Sequence, residues 1–423
     1  MTGLRRRQFL TGGLLLPVAL SSARLSAKSS PHVVIVGGGF AGATAARYLA
    51  RWAPECRITL VLGRDRYWTC PLSNLAVIGE RSLTSLEVRR DQLAEGNIDV
   101  LGLEARDFDP HRRTLLLEDG NSLTFDRLVI APGIEVMPEA IEGHGHDAVA
   151  TFPHAWQAGP ATMHLAQRLQ AVPDGGLVII SVPEAPYRCP PGPYERASLM
   201  AWWLARHRPR AKLIILDANS SFTKEELFKA HWHKSHPQRL SWLGRHDDGL
   251  LRRVDAKRGS LHTDFEDYRP DLACVIPPQR AAPIARIADL DGGRGWCSVD
   301  PRTFASTVHP NVHVIGDASI ANPMPKSAFA AASQARICAA AIAAEFSGRQ
   351  PPHALLTNTC YSLLTPAAAI AISGSYHGTR EGIETLAGTA GSSPLEAPAS
   401  LREAEAGHAR AWYVSARADA FGD

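Results

Sequence analysis

Apolar residues in this chain gather into short runs closed by turn formers. The first is "HVVIV", followed by "GGGFAG" and an alanine-rich stretch, so Val33–Val36 predicts a strand, then a tight turn, then a helix. "RITLVL" predicts a second strand ending at Leu62, and "TFDRLVIAPG" (Thr124–Gly133) a buried strand closed by small residues. "LVIISV" (Leu177–Val182) and "HPNVHVIGDAS" (His309–Ser319) read the same way. A helix is predicted to open near Tyr194, and another near Ser327, where "MPKSAFAAASQARICAAAIAAEF" begins. "LTNTCYSLL" is strand-like, and the Gly/Ser/Ala/Pro-rich segment Ala387–Ser400 reads as a surface loop. No amphipathic helix is read at the C-terminus. No internal repeat is present, and no apolar run is long enough to span a bilayer.

The chain has 423 residues, room for two or three domains, and its 45% hydrophobic and 21% charged residues are those of a folded soluble protein. The formal charge of +3 is misleading, because the first 27 residues hold Arg5, Arg6, Arg7 and Arg24 and no acid. Without them the body is slightly acidic, which argues against nucleic-acid binding. "RRRQFL", the apolar stretch "LTGGLLLPVALSSA" and small residues at Ala23 or Ala27 predict an export signal. A chance basic tail or an uncleaved anchor is the bland alternative. The adjacent arginines resemble a twin-arginine signal, whose pathway carries folded proteins; the implied destination is the periplasm, where disulfides persist.

Gly37, Gly39 and Gly42 occupy the G-x-G-x-x-G positions, with Phe40 and Ala41 between them. Such a turn brings backbone amides and the positive end of a helix dipole to a pyrophosphate. Leu62, however, stands where an acid normally holds the ribose hydroxyls. Asp65 is one substitute; a ribose held less tightly is the other reading. The strand ending at Gly133 and the one delivering Asp317 look like the second and third nucleotide-contacting motifs of the two-dinucleotide-domain flavoprotein reductases. In that family the aspartate bonds the ribitol chain of FAD, so three motifs in order imply FAD.

The loop after Val182 would be the second dinucleotide turn, yet it reads "PEAPYRCPPGPYERA". Pro183, Pro186, Pro190, Pro191 and Pro193 lack an N–H, so this loop is not expected to form a nest of donors around phosphates. A vestigial domain without a nicotinamide site is the expectation. Cys189 lies in that loop before a helix start, where the dipole and Arg188 or Arg196 would favour a thiolate. Cys70, in "YWTCPLSN", has no cysteine within ten positions; it is either a buried free thiol or chemically special. Cys56, Cys274, Cys297 and Cys338 read as structural, and Trp202, Trp203, Trp232 and Trp242 as core or interface. No metal site is read.

"YWTCPLSN", "YRCPPGPYERAS", "VIPPQRA", "GWCSVDPRTF", "VHVIGDASIANPMPKSAFAA", "NTCYSLL" and "ARAWYVSARADAFG" together resemble the flavoprotein subunit of flavocytochrome c sulfide dehydrogenase. The likeness runs from the signal to the C-terminus. It implies an α/β fold: a FAD-binding Rossmann-like domain in two segments (31–143 and 272–350), an inserted second Rossmann-like domain without an NAD site (144–271), and a small α+β C-terminal domain (351–423). It implies that Cys70 bonds the flavin covalently, and that Cys189 and Cys360 form a redox disulfide with Glu195 close by. On the residues alone, a purely structural bridge stays open. It also implies that Trp412 packs by the flavin and that the helix opening at Ser327 points at its pyrimidine. Lys326 either adds to that field or sits on the surface. The implied reaction is oxidation of sulfide, with electrons passed to a c-type cytochrome; without C-x-x-C-H in this chain, haem belongs to a separate subunit. A sulfide:quinone reductase, an accessory flavoprotein of a thiosulfate-oxidising system and a non-catalytic partner subunit remain alternatives.

Overall fold

The structure is a computed structural model that describes residues 30–422, so the export signal expected over residues 1–27 lies outside the described residues. Five parallel strands form the first sheet, in the order Val312–Val314, Arg127–Ile130, His32–Val36, Arg57–Val61, Ile98–Leu101. Val33 stands opposite Ile58 on one side and Arg127 on the other. Layers cover both faces, which is why these strands are almost continuously apolar rather than alternating; Val33, Val34, Ile35, Leu128, Val129 and Ile130 are all fully buried.

The helix Phe40–Trp52 packs onto this sheet through a glycine. A Cβ on Gly42 would lie 1.8 Å from the Gly37 carbonyl oxygen, so only a bare α-carbon fits. Gly37 itself has φ +105, and a Cβ there would sit 2.3 Å from the carbonyl oxygen of Ala131. The first and second motifs therefore meet backbone to backbone. The third joins them: a Cβ on Gly316 would lie 3.0 Å from that of Ala41.

A second parallel sheet runs Leu240–Leu243, Lys212–Asp217, Leu177–Val182, Leu272–Val275. This moves one expected boundary. Val178–Ser181 pair with Leu272–Val275, so the inserted sheet runs to residue 275 and the return to the FAD-binding domain follows it. Ile134–Val136 and Gln279–Ala281, antiparallel to one another, are the two crossings between the domains.

The C-terminal domain is a long antiparallel hairpin, Leu355–Thr365 against Ala368–Gly378, backed by the helix Ala399–Phe421. A C-terminal helix is thus present, though only weakly amphipathic. Its inner face is built of Ala406, Ala409, Tyr413, Ala420 and Phe421, mostly small residues whose periodicity is faint. The face is used inside the protein: Tyr413 bonds the Thr69 hydroxyl at 2.6 Å, and Phe421 packs on Phe40 with ring centres 5.0 Å apart. Among the described residues no helix is long and apolar enough to cross a membrane.

Candidate active site

The proline loop places Cys189. Its backbone takes φ +56, the N–H donates to the Lys326 carbonyl at 2.7 Å, and its own carbonyl accepts from Gly192 N–H at 2.8 Å. That turn starts the helix Gly192–His207, two residues earlier than expected, because Pro191 and Pro193 suit a first turn that needs no N–H. The amides of Ala185, Arg188, Cys189 and Gly192 are already bonded to Asn219, Gln279, Lys326 and Cys189, and the prolines supply none. Among the described residues of this loop, no cluster of free donors is left for a dinucleotide phosphate. Anaerobic titration with NADH should accordingly leave the flavin spectrum oxidised, whereas rapid bleaching at micromolar NADH would contradict this.

Cys360 sits midway along the strand Leu355–Thr365, buried. All seven cysteines are free thiols, Cys189 and Cys360 among them. The bridge between them is not formed in this structure, yet the two share one electrostatic neighbourhood: charge on Cys360 and on Glu195 raises the Cys189 thiol, while Arg188 and Lys224 lower it. Burial is the largest influence and pushes both thiols above the usual range. Burial thus works against the thiolate expected at Cys189. Arg196 gives it no help, since that guanidinium is drawn off to Asn74, to the carbonyls of His154 and Ala155 and to the Cys274 sulfur at 3.1 Å.

Glu195 is fixed from both sides. Asn74 Nδ2 donates to one carboxyl oxygen at 2.9 Å and the Leu363 N–H to the other at 3.0 Å. Burial raises its pKa despite those bonds.

Beside the cysteines lie the residues expected to hold FAD. Charge on Cys70, Asp317, Tyr67 and Cys189 acts on the Arg188 guanidinium, so the loop carrying Cys70 and the turn carrying Asp317 converge on the residue before Cys189. Cys70 is half-buried, its sulfur 3.9 Å from the Trp156 carbonyl oxygen. Tyr67 covers the glycine turn: a Cβ on Gly39 would lie 3.6 Å from its hydroxyl. Asp317 keeps a buried Oδ1 with no partner. An orphaned buried acceptor beside a glycine turn of bare backbone fits a ligand offering hydroxyls and a pyrophosphate, as FAD does.

Gly133 ends its segment at φ +74 and accepts from the Ala282 N–H at 3.1 Å. Lys326 does not sit on the surface. Its ammonium donates to the carbonyls of Asp317 (2.8 Å) and Ser319 (2.7 Å) and lies over the Trp296 ring. Ser327 caps the helix Ala328–Phe346, accepting from Ala330 N–H at 3.0 Å and donating to Asn358 at 2.7 Å. Trp412 stacks on Phe329 in the first turn of that helix, ring centres 5.8 Å apart. At the far end, Leu62 packs against Gly38, and the exposed Asp65 pairs with Arg90 at 2.8 Å. Sequence reasoning missed Asn74, Trp156 and Lys224, whose roles come only from contacts between residues far apart in the chain.

This fold and site define a two-dinucleotide-domain flavoprotein of the disulfide-oxidoreductase class. Family models for a pyridine nucleotide-disulphide oxidoreductase match residues 31–186, for the central region of the sulfide dehydrogenase [flavocytochrome c] flavoprotein chain residues 162–277, and for the flavin-binding region of flavocytochrome c sulphide dehydrogenase residues 352–421. The flavoprotein chain of sulfide dehydrogenase [flavocytochrome c] from Chlorobaculum thiosulfatiphilum is 50% identical over 43 residues, 10% of this chain and 90% of that one. The chain belongs to the flavocytochrome c sulfide dehydrogenase flavoprotein family, and its cofactor is FAD. The mitochondrial sulfide:quinone oxidoreductase of Mus musculus is 23% identical over 340 residues, covering 75% of this chain and 72% of that one. The solved sulfide:quinone oxidoreductase of Aquifex aeolicus shares the fold at a TM-score of 0.70, with 18% identity and 92% of each chain covered.

Proposed function

We propose that this chain is the sulfide-oxidising flavoprotein of a periplasmic flavocytochrome c, working through a Cys189–Cys360 disulfide and delivering electrons to a c-type cytochrome subunit. The observation that carries the reading is the gathering of half-buried Cys189 and Glu195 with buried Cys360 in one cluster, joined to the residues expected to hold FAD through Arg188. Hydrosulfide attacks one sulfur of the disulfide: a new S–S bond forms, the old one breaks, and the products are a cysteine persulfide and a cysteine thiolate. FAD, when bound, supplies a two-electron acceptor that can be discharged one electron at a time. The glycine turn at Gly37, Gly39 and Gly42 would hold its pyrophosphate, Asp317 a ribitol hydroxyl, and Cys70 a covalent bond. Glu195 holds or releases a proton beside the departing sulfur.

Sulfide:quinone reduction is the second reading, favoured by the relatives of that name. Mixing the purified flavoprotein–cytochrome complex with sulfide decides between them. Rapid appearance of reduced haem supports the proposal; turnover only with a quinone sinks it.

Glu195→Gln fixes the neutral form of this acid. Burial has moved its ionisation upward, so wild type should show an acidic limb displaced above the ordinary glutamate range, and the variant should lack that limb. The rate should fall by about a hundredfold or less, the low end for general acid–base groups, in steady-state assays across roughly pH 5 to 9.

A further inference from the structure

Lys224 suits its local position poorly. It stands before the helix Glu225–Ser235 with φ +65, a left-handed conformation, where Ser, Thr, Asp or Asn would cap the helix; its side chain makes no capping bond. The side chain instead reaches across to the strand Leu355–Thr365. There Nζ donates to the Cys360 carbonyl at 2.8 Å and to the Ser362 hydroxyl at 2.7 Å. Both partners are neutral.

The acids around it are committed elsewhere. Glu225, its neighbour in sequence, pairs with Lys229 at 2.6 Å. Glu405 bonds Ser393 and pairs with Arg402. Glu195 is taken by Asn74 and the Leu363 N–H. Together with Cys189 and Cys360, Glu195 and Glu405 are the titratable groups that act on Lys224. Desolvation already pushes its ammonium below the usual lysine range. A desolvated cation without a counter-charge is costly, so such charges are normally paired. Glu195 and Glu405 act on Lys224 but neither forms an ion pair with it, and a sulfur anion beside the Cys360 backbone it holds exists only when the cysteine pair is open.

We propose that Lys224 is a positioning residue of the cysteine pair: its ammonium, seated on the backbone of Cys360, is the counter-charge for the sulfur anion set free when the Cys189–Cys360 bond opens. The inference rests on the sulfide-oxidising reading. When hydrosulfide adds to one sulfur, the bond pair between the cysteines leaves with the other, and negative charge passes from a small ion to a protein sulfur beside Lys224. Closed, the disulfide carries no charge; attack by hydrosulfide leaves one sulfur as an anion, which burial disfavours and Lys224 stabilises. Lys224 therefore biases the pair toward opening.

The test uses the full-length, flavin-loaded protein equilibrated in dithiothreitol buffers of stepped redox ratio at a pH above the wild-type Cys360 alkylation midpoint, where the opened pair holds a thiolate, then acid-quenched, alkylated and read by mass. Lys224→Met should lower the equilibrium constant for opening the bridge about tenfold, equivalent to roughly 30 mV more negative. Lys224→Gln, which keeps a bond to the Cys360 carbonyl without the charge, should behave like Lys224→Met. Lys224→Arg should stay within about twofold of wild type. In parallel, the fully reduced proteins are alkylated at stepped pH, and the Cys360 midpoint should rise in the Met and Gln variants only. A folded Lys224→Gln protein with wild-type values in both measurements overturns the proposal. Failure of the oxidised wild type to hold a Cys189–Cys360 disulfide strikes instead at the sulfide-oxidising reading, and the alkylation series then decides Lys224 by itself.

Discussion

Flavin-loaded Cys189→Ser and Cys360→Ser proteins will stay yellow in sulfide and bleach with dithionite. Sulfide reaches the flavin through the disulfide in the proposed mechanism, so loss of either sulfur removes the electrophile that hydrosulfide attacks. Dithionite needs no thiol and is unaffected. A bridge closing a loop of this length contributes about 5 kcal/mol in the chain-entropy model, so both variants should also melt below oxidised wild type. A purely structural bridge predicts that lower melting temperature together with undiminished sulfide reduction. The two roles are separated by anaerobic stopped-flow spectra: a folded, flavin-loaded Cys189→Ser protein bleached by sulfide at the wild-type rate rules the disulfide mechanism out.

Acid-precipitated wild-type protein should remain yellow, and Cys70→Ala should release all its colour to the supernatant. The sulfide chemistry does not use Cys70. Its sulfur is only half-buried, makes a single long contact with the Trp156 carbonyl, and lies with Tyr67 near the guanidinium of Arg188. A covalent bond also answers the weakness at Leu62, where the family fold usually supplies a ribose-binding acid and this chain packs an apolar side chain against Gly38. A thioether withdraws electron density and raises the flavin's potential, which suits electrons bound for a cytochrome. Complete loss of flavin from denatured wild type would show that Cys70 is an ordinary thiol.

Several parts of this protein are legible in its amino-acid sequence. The glycine turn can be read because Gly37 and Gly42 answer to local demands: a positive φ and contacts too close for a Cβ. The buried parallel strands announce themselves as apolar runs, and the five prolines after Val182 remove donors whatever the surroundings. Each is a rule about neighbouring residues.

Other features depend on residues far apart in the chain. The domain boundary moved to residue 275 because strand pairing, not composition, assigns Leu272–Val275 to the inserted sheet. The C-terminal helix escaped notice because alanines form much of its inner face, and close approach of the hairpin makes that face a packed one. Arg196, one of the two cations expected to favour a Cys189 thiolate, turned instead to Asn74 and Cys274. Burial raises the Cys189 thiol, against the lowering expected from a helix start. Lys224 reached Cys360 from the inserted domain to the C-terminal hairpin. Local backbone chemistry is written in consecutive residues, whereas burial and charge pairing belong to whichever side chains the folded chain brings together.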